Sequence, residues 1–394
     1  MKLARRLDRI EPFYVMECAK AAARLAALPE CDPAQGGSPM IFLNIGEPDF
    51  TAPPAVQAAA EAAIRAGKSQ YTDANGLPAL REAISGWYAS RFGLTIAPER
   101  IIVTAGASAA LQLACMALFE AGDEVLMPDP SYPCNRHFVA AAEATPVALP
   151  CGPDLRFQLG ADDVRTHWTA QTRGVLLASP SNPTGTSIAP EALRQIVDEV
   201  RSRGGVTIVD EIYLGLSYDD AYARSALALG DDVISVNSFS KYFNMTGWRL
   251  GWLVVPPALV APLEKLQQNL YICASSIAQH AALACFTPAS LALYETRRAA
   301  FRERRDFIVP ALNAMGLTVP VMPDGAFYAW ADCSSVSDSS WNFCMDVLNQ
   351  AHVALTPGRD FGPAAAERYF RLSFASGLPQ LAQAADRLAE LIRR

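Results

Sequence analysis

Lys241 sits in the run ISVNSFSKYFNMTGWRLGW (Ile234 to Trp252), three residues after Ser238 and eight before Arg249. A short apolar strand, Val233 to Val236, leads into this polar turn, and a second apolar run, Leu250 to Val255, follows it. A lysine at a strand end among small hydroxyl residues is placed to lose part of its hydration. Desolvation lowers an amine's pKa, and the neutral amine is the form that attacks carbonyls. Ser238 and Arg249 add a hydroxyl and a fixed cation, groups that together hold a phosphate. The chemistry this suggests is an imine between Lys241 and a phosphorylated aldehyde. Read alone, the segment fits a solvated surface turn equally well.

Four other apolar runs end in similar clusters. Ile101 to Val103 precedes Thr104-Ala105-Gly106-Ala107-Ser108, and Glu124 to Met127 precedes Asp129-Pro130-Ser131-Tyr132-Pro133. Gly174 to Ala178 runs into SPSNPTG (Ser179 to Gly185), and Val206 to Val209 into Asp210, Glu211 and Tyr213. In an open α/β sheet, ligands bind outside the carboxyl ends of the strands, so five such clusters can line one crevice. Gly106-Ala107-Ser108 opens a helix, whose first N–H groups and dipole receive an anion; small residues also start purely structural helices. Tyr132 serves ring stacking or packing, and Asn182 ligand binding or turn formation. Asp210 ends a buried strand and needs a partner. A helix N-terminus would be one, and a protonated pyridine nitrogen, which becomes an electron sink when so paired, another.

These clusters require a particular scaffold. Short apolar runs at 101–103, 124–127, 146–149, 174–178, 206–209, 233–236 and 250–255 alternate with helical or looped segments. That is the pattern of an α/β fold, a mainly parallel seven-stranded sheet between helices. Upstream, the sequence predicts helices over 10–28, 53–66 and 77–92 and a strand over 40–45. After residue 258 the texture changes to long helices (262–286, 291–315), short strands near 319–321, 327–330 and 369–374, and a last helix, 378–392. A smaller α+β domain is expected there. The division expected is an N-terminal arm and helix joining the small domain (1–45), a large cofactor-binding domain (46–275) and the small C-terminal domain (276–394).

With 394 residues the chain can bury a large core, and its 51% hydrophobic content suits a packed enzyme. A net charge of −7 argues against a nucleic-acid or anionic-membrane partner. The basic run RRAAFRERR (Arg297 to Arg305) reads as a solvated helix face. Nine cysteines without a CxxC pair and four isolated histidines point to no metal and to a reducing compartment. The leading MKLARRLDRIEP lacks a signal peptide's apolar core, and no uncharged apolar run reaches the roughly 18 residues of a membrane helix. A cytoplasmic location is expected.

Taken together, SFSK followed by GWRLGW, with SPSNPTG, VDEIY and a late RLSFA, resembles the class I/II aminotransferases of pyridoxal phosphate fold type I. NIGEPDF, QYTDANGLPALREAI, VTAGASAAL and GAFYAW fit the same pattern in order along essentially the whole chain. The resemblance implies pyridoxal 5'-phosphate joined to Lys241 as an internal aldimine, with Lys241 later carrying the proton from Cα. It implies that Asp210 meets the pyridine nitrogen, that Asn182 and Tyr213 bond the phenolic oxygen and that Tyr132 stacks on the ring. Ala107, Ser108, Ser238 and Arg249 would hold the phosphate, with Tyr71 reaching in from the second subunit of a homodimer. Arg371 would bind the substrate α-carboxylate, helped by Asn182 and the backbone at Gly46. The implied activity is ping-pong exchange of an amino group between an L-amino acid and a 2-oxo acid. A C–S lyase on the same scaffold is the alternative. Some aspartate-specific members carry lysine where this chain has Ser108, which argues against aspartate. Arg136 offers either a contact to the substrate side chain or a surface salt bridge, and Phe13, Tyr14 and Phe327 an apolar wall.

Overall fold

The computed structural model of the chain describes every residue except Met1, Phe13 and Arg394. A two-residue strand, β1 (Ile41–Phe42), precedes β2 (Ile101–Thr104), β3 (Glu124–Asp129), β4 (Thr145–Pro150), β5 (Thr172–Ala178), β6 (Val206–Asp210), β7 (Ile234–Ser238) and β8 (Gly251–Val254). The last seven form one sheet in the order β2-β8-β7-β6-β5-β3-β4. All pairs are parallel except those of β8, which runs antiparallel to β7 and β2. The expected seven-stranded, mainly parallel α/β sheet is therefore present.

Successive residues of these strands feed opposite faces, because side chains alternate along a strand. Val125, Met127, Leu176, Ile208 and Leu253 pack with Leu111, Leu113 and Ala114 of the helix Ala107–Leu118. Leu126, Val175, Leu177 and Val209 pack with Leu193, Ile196 and Val200 of the helix Pro190–Ser202. Helices on both faces leave the loops at the strand ends as the accessible place for chemistry.

The remaining strands are β9 (Tyr328–Asp332), β10 (Val353–Ala354), β11 (Thr356–Pro357) and β12 (Tyr369–Ser373). β11, β12 and β9 make an antiparallel sheet in that order, and β1 lies parallel to β10. The last helix, Leu378–Ile392, buries Leu381, Ala384 and Leu388. No helix among the described residues is long and apolar enough to cross a membrane.

Several expected boundaries move. The stretch expected as one helix over 262–286 is divided into Pro257–Leu270, Ser276–Ala282 and a 3-10 turn at Leu283–Phe286. Ile272 adopts a left-handed φ of 67°, and Ser275 caps the second helix by accepting the Ala278 N–H. The N-terminal helix spans Tyr14–Ala26 rather than 10–28, after a 3-10 turn at Arg5–Arg9. Residues 319–321 form no strand, because the Val319 N–H is taken by Asn313 Oδ1 at 2.7 Å and only Thr318 bridges Asp332.

The basic run at 297–305 is not simply a solvated face. It lies on the helix Pro288–Ala314 and reaches into loops beside the site. Arg297 donates to Thr51 O and Asn244 Oδ1 (2.7 and 2.8 Å). The buried Arg304 grips Asp49 through both oxygens (2.8 and 2.9 Å) and also donates to Ala375 O. A bidentate pair of this kind fixes orientation as well as position, and here it anchors the loop after Gly46. Arg304→Ala would leave Asp49 unpaired and remove packing against Phe50 and Phe301. Because Asp49 is itself exposed, the expected loss is about 2 kcal/mol, read as a lower denaturant midpoint; an unchanged midpoint would refute the anchoring role.

Candidate active site

A cavity of about 600 Å³ opens at the carboxyl ends of β2, β3, β5, β6 and β7. It is lined by Ala107 and Ser108 after β2, Tyr132 after β3, Asn182 after β5, Asp210 and Tyr213 after β6, and Ser238 and Lys241 after β7. Arg249, Gly46 and Arg371 complete the wall. Eleven residues singled out from the sequence thus share one space.

Lys241 Nζ donates to Gly46 O at 2.6 Å and lies 5.7 Å from the centre of the Tyr213 ring. Burial lowers its pKa to about 8, and the cations of Arg371 and Arg249 push the same way against the carboxylates of Glu47 and Asp210. A sizeable minority of the amine is therefore neutral near physiological pH, far more than for an amine at its ordinary value of 10.5. Asp210 is buried at the end of β6 and accepts the Ile212 N–H (3.1 Å). Burial raises its pKa to about 7, Glu211 adds to the rise, and the Ile212 N–H and Lys241 oppose it. Glu211 points away into the protein, where Ser225, Ser235 and the Ala226 N–H bond its oxygens (2.6–2.8 Å). Those donors only partly offset burial, and its pKa is also raised to about 7.

One corner gathers groups that suit an anion. Gly106, with φ of 86°, turns the chain into the helix Ala107–Leu118, whose first turn has no side-chain cap. A β-carbon on Gly106 would stand 2.7 Å from Arg249 Nη2, so only glycine lets the guanidinium lie against the helix start. Gly251 likewise leaves room for the Ala107 N–H, which a β-carbon would meet at 2.7 Å. Arg249 is itself left-handed (φ 53°) and donates to Thr246 O at 2.9 Å. The Ser238 hydroxyl accepts the Ser240 N–H (3.0 Å), shaping the turn before Lys241.

The opposite corner centres on Arg371, whose planar fork suits a carboxylate. Buried Arg371 donates through Nη1 to Asn182 Oδ1 (2.9 Å) and through Nη2 to Asn44 O (2.6 Å). Its plane lies near the rings of Tyr328 and Phe361, 4.5 and 5.0 Å from their centres. Arg371 Nε is buried without a hydrogen-bond partner among the described residues. Tyr328 and Tyr213 share a hydroxyl–hydroxyl bond of 2.7 Å. A β-carbon on Gly46 would approach Tyr328 Oη to 2.3 Å, so the glycine is a spatial requirement.

Other candidates from the sequence lie outside this lining. Tyr71, expected to act in a second subunit's site, is 78% exposed and does not line the cavity of this chain. Arg136 does not line it either: it donates to Glu11 (3.1 Å) and Asp360 O (3.2 Å), which is the salt-bridge alternative. Of the expected apolar wall, Phe13 lies outside the described residues. Tyr14 stands under Arg359, and Phe327 is buried behind the lining. The apolar lining instead includes Val15, Met16 and Ile45, and Tyr328 supplies the aromatic face, all missed in the sequence. Tyr328 had a signal, being the tyrosine of GAFYAW that follows the phenylalanine chosen.

Comparison with known proteins places this geometry in a family. A family model described as aminotransferase class I and II matches residues 38–388. A valine–pyruvate aminotransferase of Mycobacterium tuberculosis is 38% identical over 380 residues, 96% of each chain. An aspartate aminotransferase of Rhizobium meliloti is 34% identical, covering 98% of this chain and 96% of its own. Among solved structures, an aminotransferase from Mycobacterium tuberculosis superposes with a TM-score of 0.93 at 37% identity, covering 100% of this chain and 99% of its own. The aspartate aminotransferase of Thermus thermophilus with maleate gives 0.91 at 32% identity, covering 99% and 100%. The chain belongs to the class I and II aminotransferases, transferases that move amino groups between amino acids and 2-oxo acids.

Proposed function

We propose that this aminotransferase works with pyridoxal 5'-phosphate attached at Lys241 and exchanges amino groups by a ping-pong mechanism. The observation that carries the reading is Lys241 itself, a buried amine brought to about pKa 8 in a cavity with an anion corner on one side and a carboxylate clamp on the other. The residues present suit the cofactor: the glycine-lined helix start matches a phosphate, and Asp210 is a buried carboxylate suited to a cationic ring nitrogen. When bound, pyridoxal phosphate supplies the aldehyde that takes the amino group, the ring that draws electrons from Cα, and a store for the amino group between half-reactions.

The chain's own residues do the rest. Asp210 would pair with the ring nitrogen and favour its protonated form; Asn182 and Tyr213 would hold the phenolic oxygen, and Tyr132 would stack on the ring. Ala107, Ser108, Ser238 and Arg249 would hold the phosphate. Arg371 receives the substrate α-carboxylate in its fork, with Asn182 and the backbone at Gly46 beside it, which sets Cα next to Lys241 Nζ. Lys241, its pKa lowered by burial so that a share of the amine is unprotonated, then removes the Cα proton as a general base. We further read the protein as a cytoplasmic homodimer in which Tyr71 completes the partner's phosphate site, divided into the 1–45 arm, a 46–275 cofactor domain and a 276–394 small domain.

The test is reduction with borohydride after loading with the cofactor, followed by peptide mass spectrometry. Attachment at Lys241 is expected, with 2-oxo acid formed when amino acid is added. Attachment at another lysine would overturn the reading. Pyruvate and ammonia formed without a 2-oxo acid acceptor would favour the C–S lyase alternative.

The amine's depressed pKa gives a further expectation. An amine at its ordinary value of 10.5 is almost fully protonated at pH 8, whereas Lys241 is half neutral there. In cofactor-free protein, trapping of Lys241 by a small aldehyde and borohydride is therefore expected to rise through pH 8 and level off. A rise only near pH 10 would contradict the burial argument.

A further inference from the structure

We infer that the substrate side chain is received by an apolar subsite formed by Val15, Met16 and Ile45, so that the preferred donor is an amino acid with an uncharged aliphatic side chain. The inference rests on the reading of Arg371 as the α-carboxylate clamp and of Lys241 as the base at Cα.

Ile45 is held beside both groups. Its preceding neighbour presents Asn44 O to Arg371 Nη2 (2.6 Å), and its following neighbour presents Gly46 O to Lys241 Nζ (2.6 Å). A side chain on that short span which also lines the cavity lies against the path from the bound carboxylate to Cα. Val15 and Met16 reach the same cavity from the helix Tyr14–Ala26. Buried Asp360 fixes the start of that helix, accepting the Tyr14 and Val15 N–H groups (3.0 and 3.1 Å). Phe361, the next residue, lies 5.0 Å from the Arg371 guanidinium, so the helix start is tied to the clamp through two adjacent residues.

The charges of the cavity point the same way. Among the described residues its basic side chains are Lys241, Arg249 and Arg371, and each already has a task. Arg136, the remaining candidate from the sequence, is occupied by Glu11 and Asp360 O. The carboxylate of Glu47 lines the cavity beside Ile45. Within this chain's lining, a second carboxylate on the substrate would thus meet apolar carbon and a like charge, and none of the described basic side chains there is left to offset its desolvation. An aliphatic side chain gains by covering Met16 and Ile45, which are 52% and 41% exposed at the cavity mouth.

The experiment titrates cofactor-loaded protein with two unreactive ligands, 3-methylbutanoate (valine without its amine) and succinate (aspartate without its amine). Half-reactions with valine, leucine, aspartate and glutamate are followed in parallel. The aliphatic acid is expected to bind at least tenfold more tightly, and valine or leucine to react at least tenfold faster in kcat/KM than aspartate. Met16→Lys adds a cation at an exposed position without burying it. It is expected to shift the succinate-to-methylbutanoate ratio at least tenfold toward succinate. Tighter succinate binding by the unaltered protein, or no shift in Met16→Lys, overturns the subsite while leaving the aminotransferase site intact. Failure of every amino acid to react would instead count against the roles given to Lys241 and Arg371.

Discussion

Lys241→Ala is expected to lower the half-reaction rate on the order of 10⁴-fold, the upper range for loss of a positioned general base. The reason is local. Nζ is the amine that lines the cavity beside Gly46 O, and burial sets its pKa to about 8. Arg249 and Arg371 are cations with other partners and cannot accept a proton. The variant should still fold, because the lysine side chain's one hydrogen bond is to a loop carbonyl. Two measurements separate chemistry from structure. Borohydride should no longer fix the cofactor to the protein, and a small primary amine added to solution should restore part of the rate. Turnover near the unaltered rate would remove Lys241 from the chemistry altogether.

The second large effect concerns Asp210. Asp210→Asn keeps the shape but removes the charge that would face a protonated ring nitrogen, and the expected loss in rate is about 10³-fold. Stability should move the other way. The carboxyl titrates at about 7 in the folded protein against 3.8 for the free group, so folding favours its protonated form. Its ionisation then costs stability that sets in as pH rises above the unfolded value and is complete above about 7. In cofactor-free protein, asparagine should therefore match the aspartate at low pH and be the more stable at pH 8, by chemical denaturation. A variant less stable at pH 8 with unchanged catalysis would make Asp210 a structural residue.

The sequence was most legible where chemistry and topology coincide. Alternating strands and helices imply a covered parallel sheet, and a covered sheet leaves its strand ends to carry the polar clusters. That logic brought Ala107, Ser108, Tyr132, Asn182, Asp210, Tyr213, Ser238, Lys241 and Arg249 into one cavity. Gly46 and Arg371 came from the resemblance, since nothing local marks an arginine within RLSFA as facing a site more than a hundred residues away in the chain.

What the sequence hid depends on long-range packing. Val15 and Met16 read as ordinary apolar positions of an amphipathic helix, and they reach the cavity because distant Asp360 captures two backbone N–H groups. The arginines from 297 to 305 read as surface charge because periodicity cannot reveal that Asp49, Thr51 and Asn244 wait across a gap. Helix ends shifted for a similar reason. The pause between Leu270 and Ser276 is set by a left-handed residue and a serine cap, which an apolar pattern does not register.

The segment from Asn44 to Gly46 separates two duties that usually compete. Its carbonyl oxygens steady the arginine and the lysine, so those duties fall to the backbone. The isoleucine between them meets the cavity with its side chain, so an exchange at position 45 leaves both carbonyls in the sequence. A protein arranged this way can drift from one diet to another while its reaction stays the same.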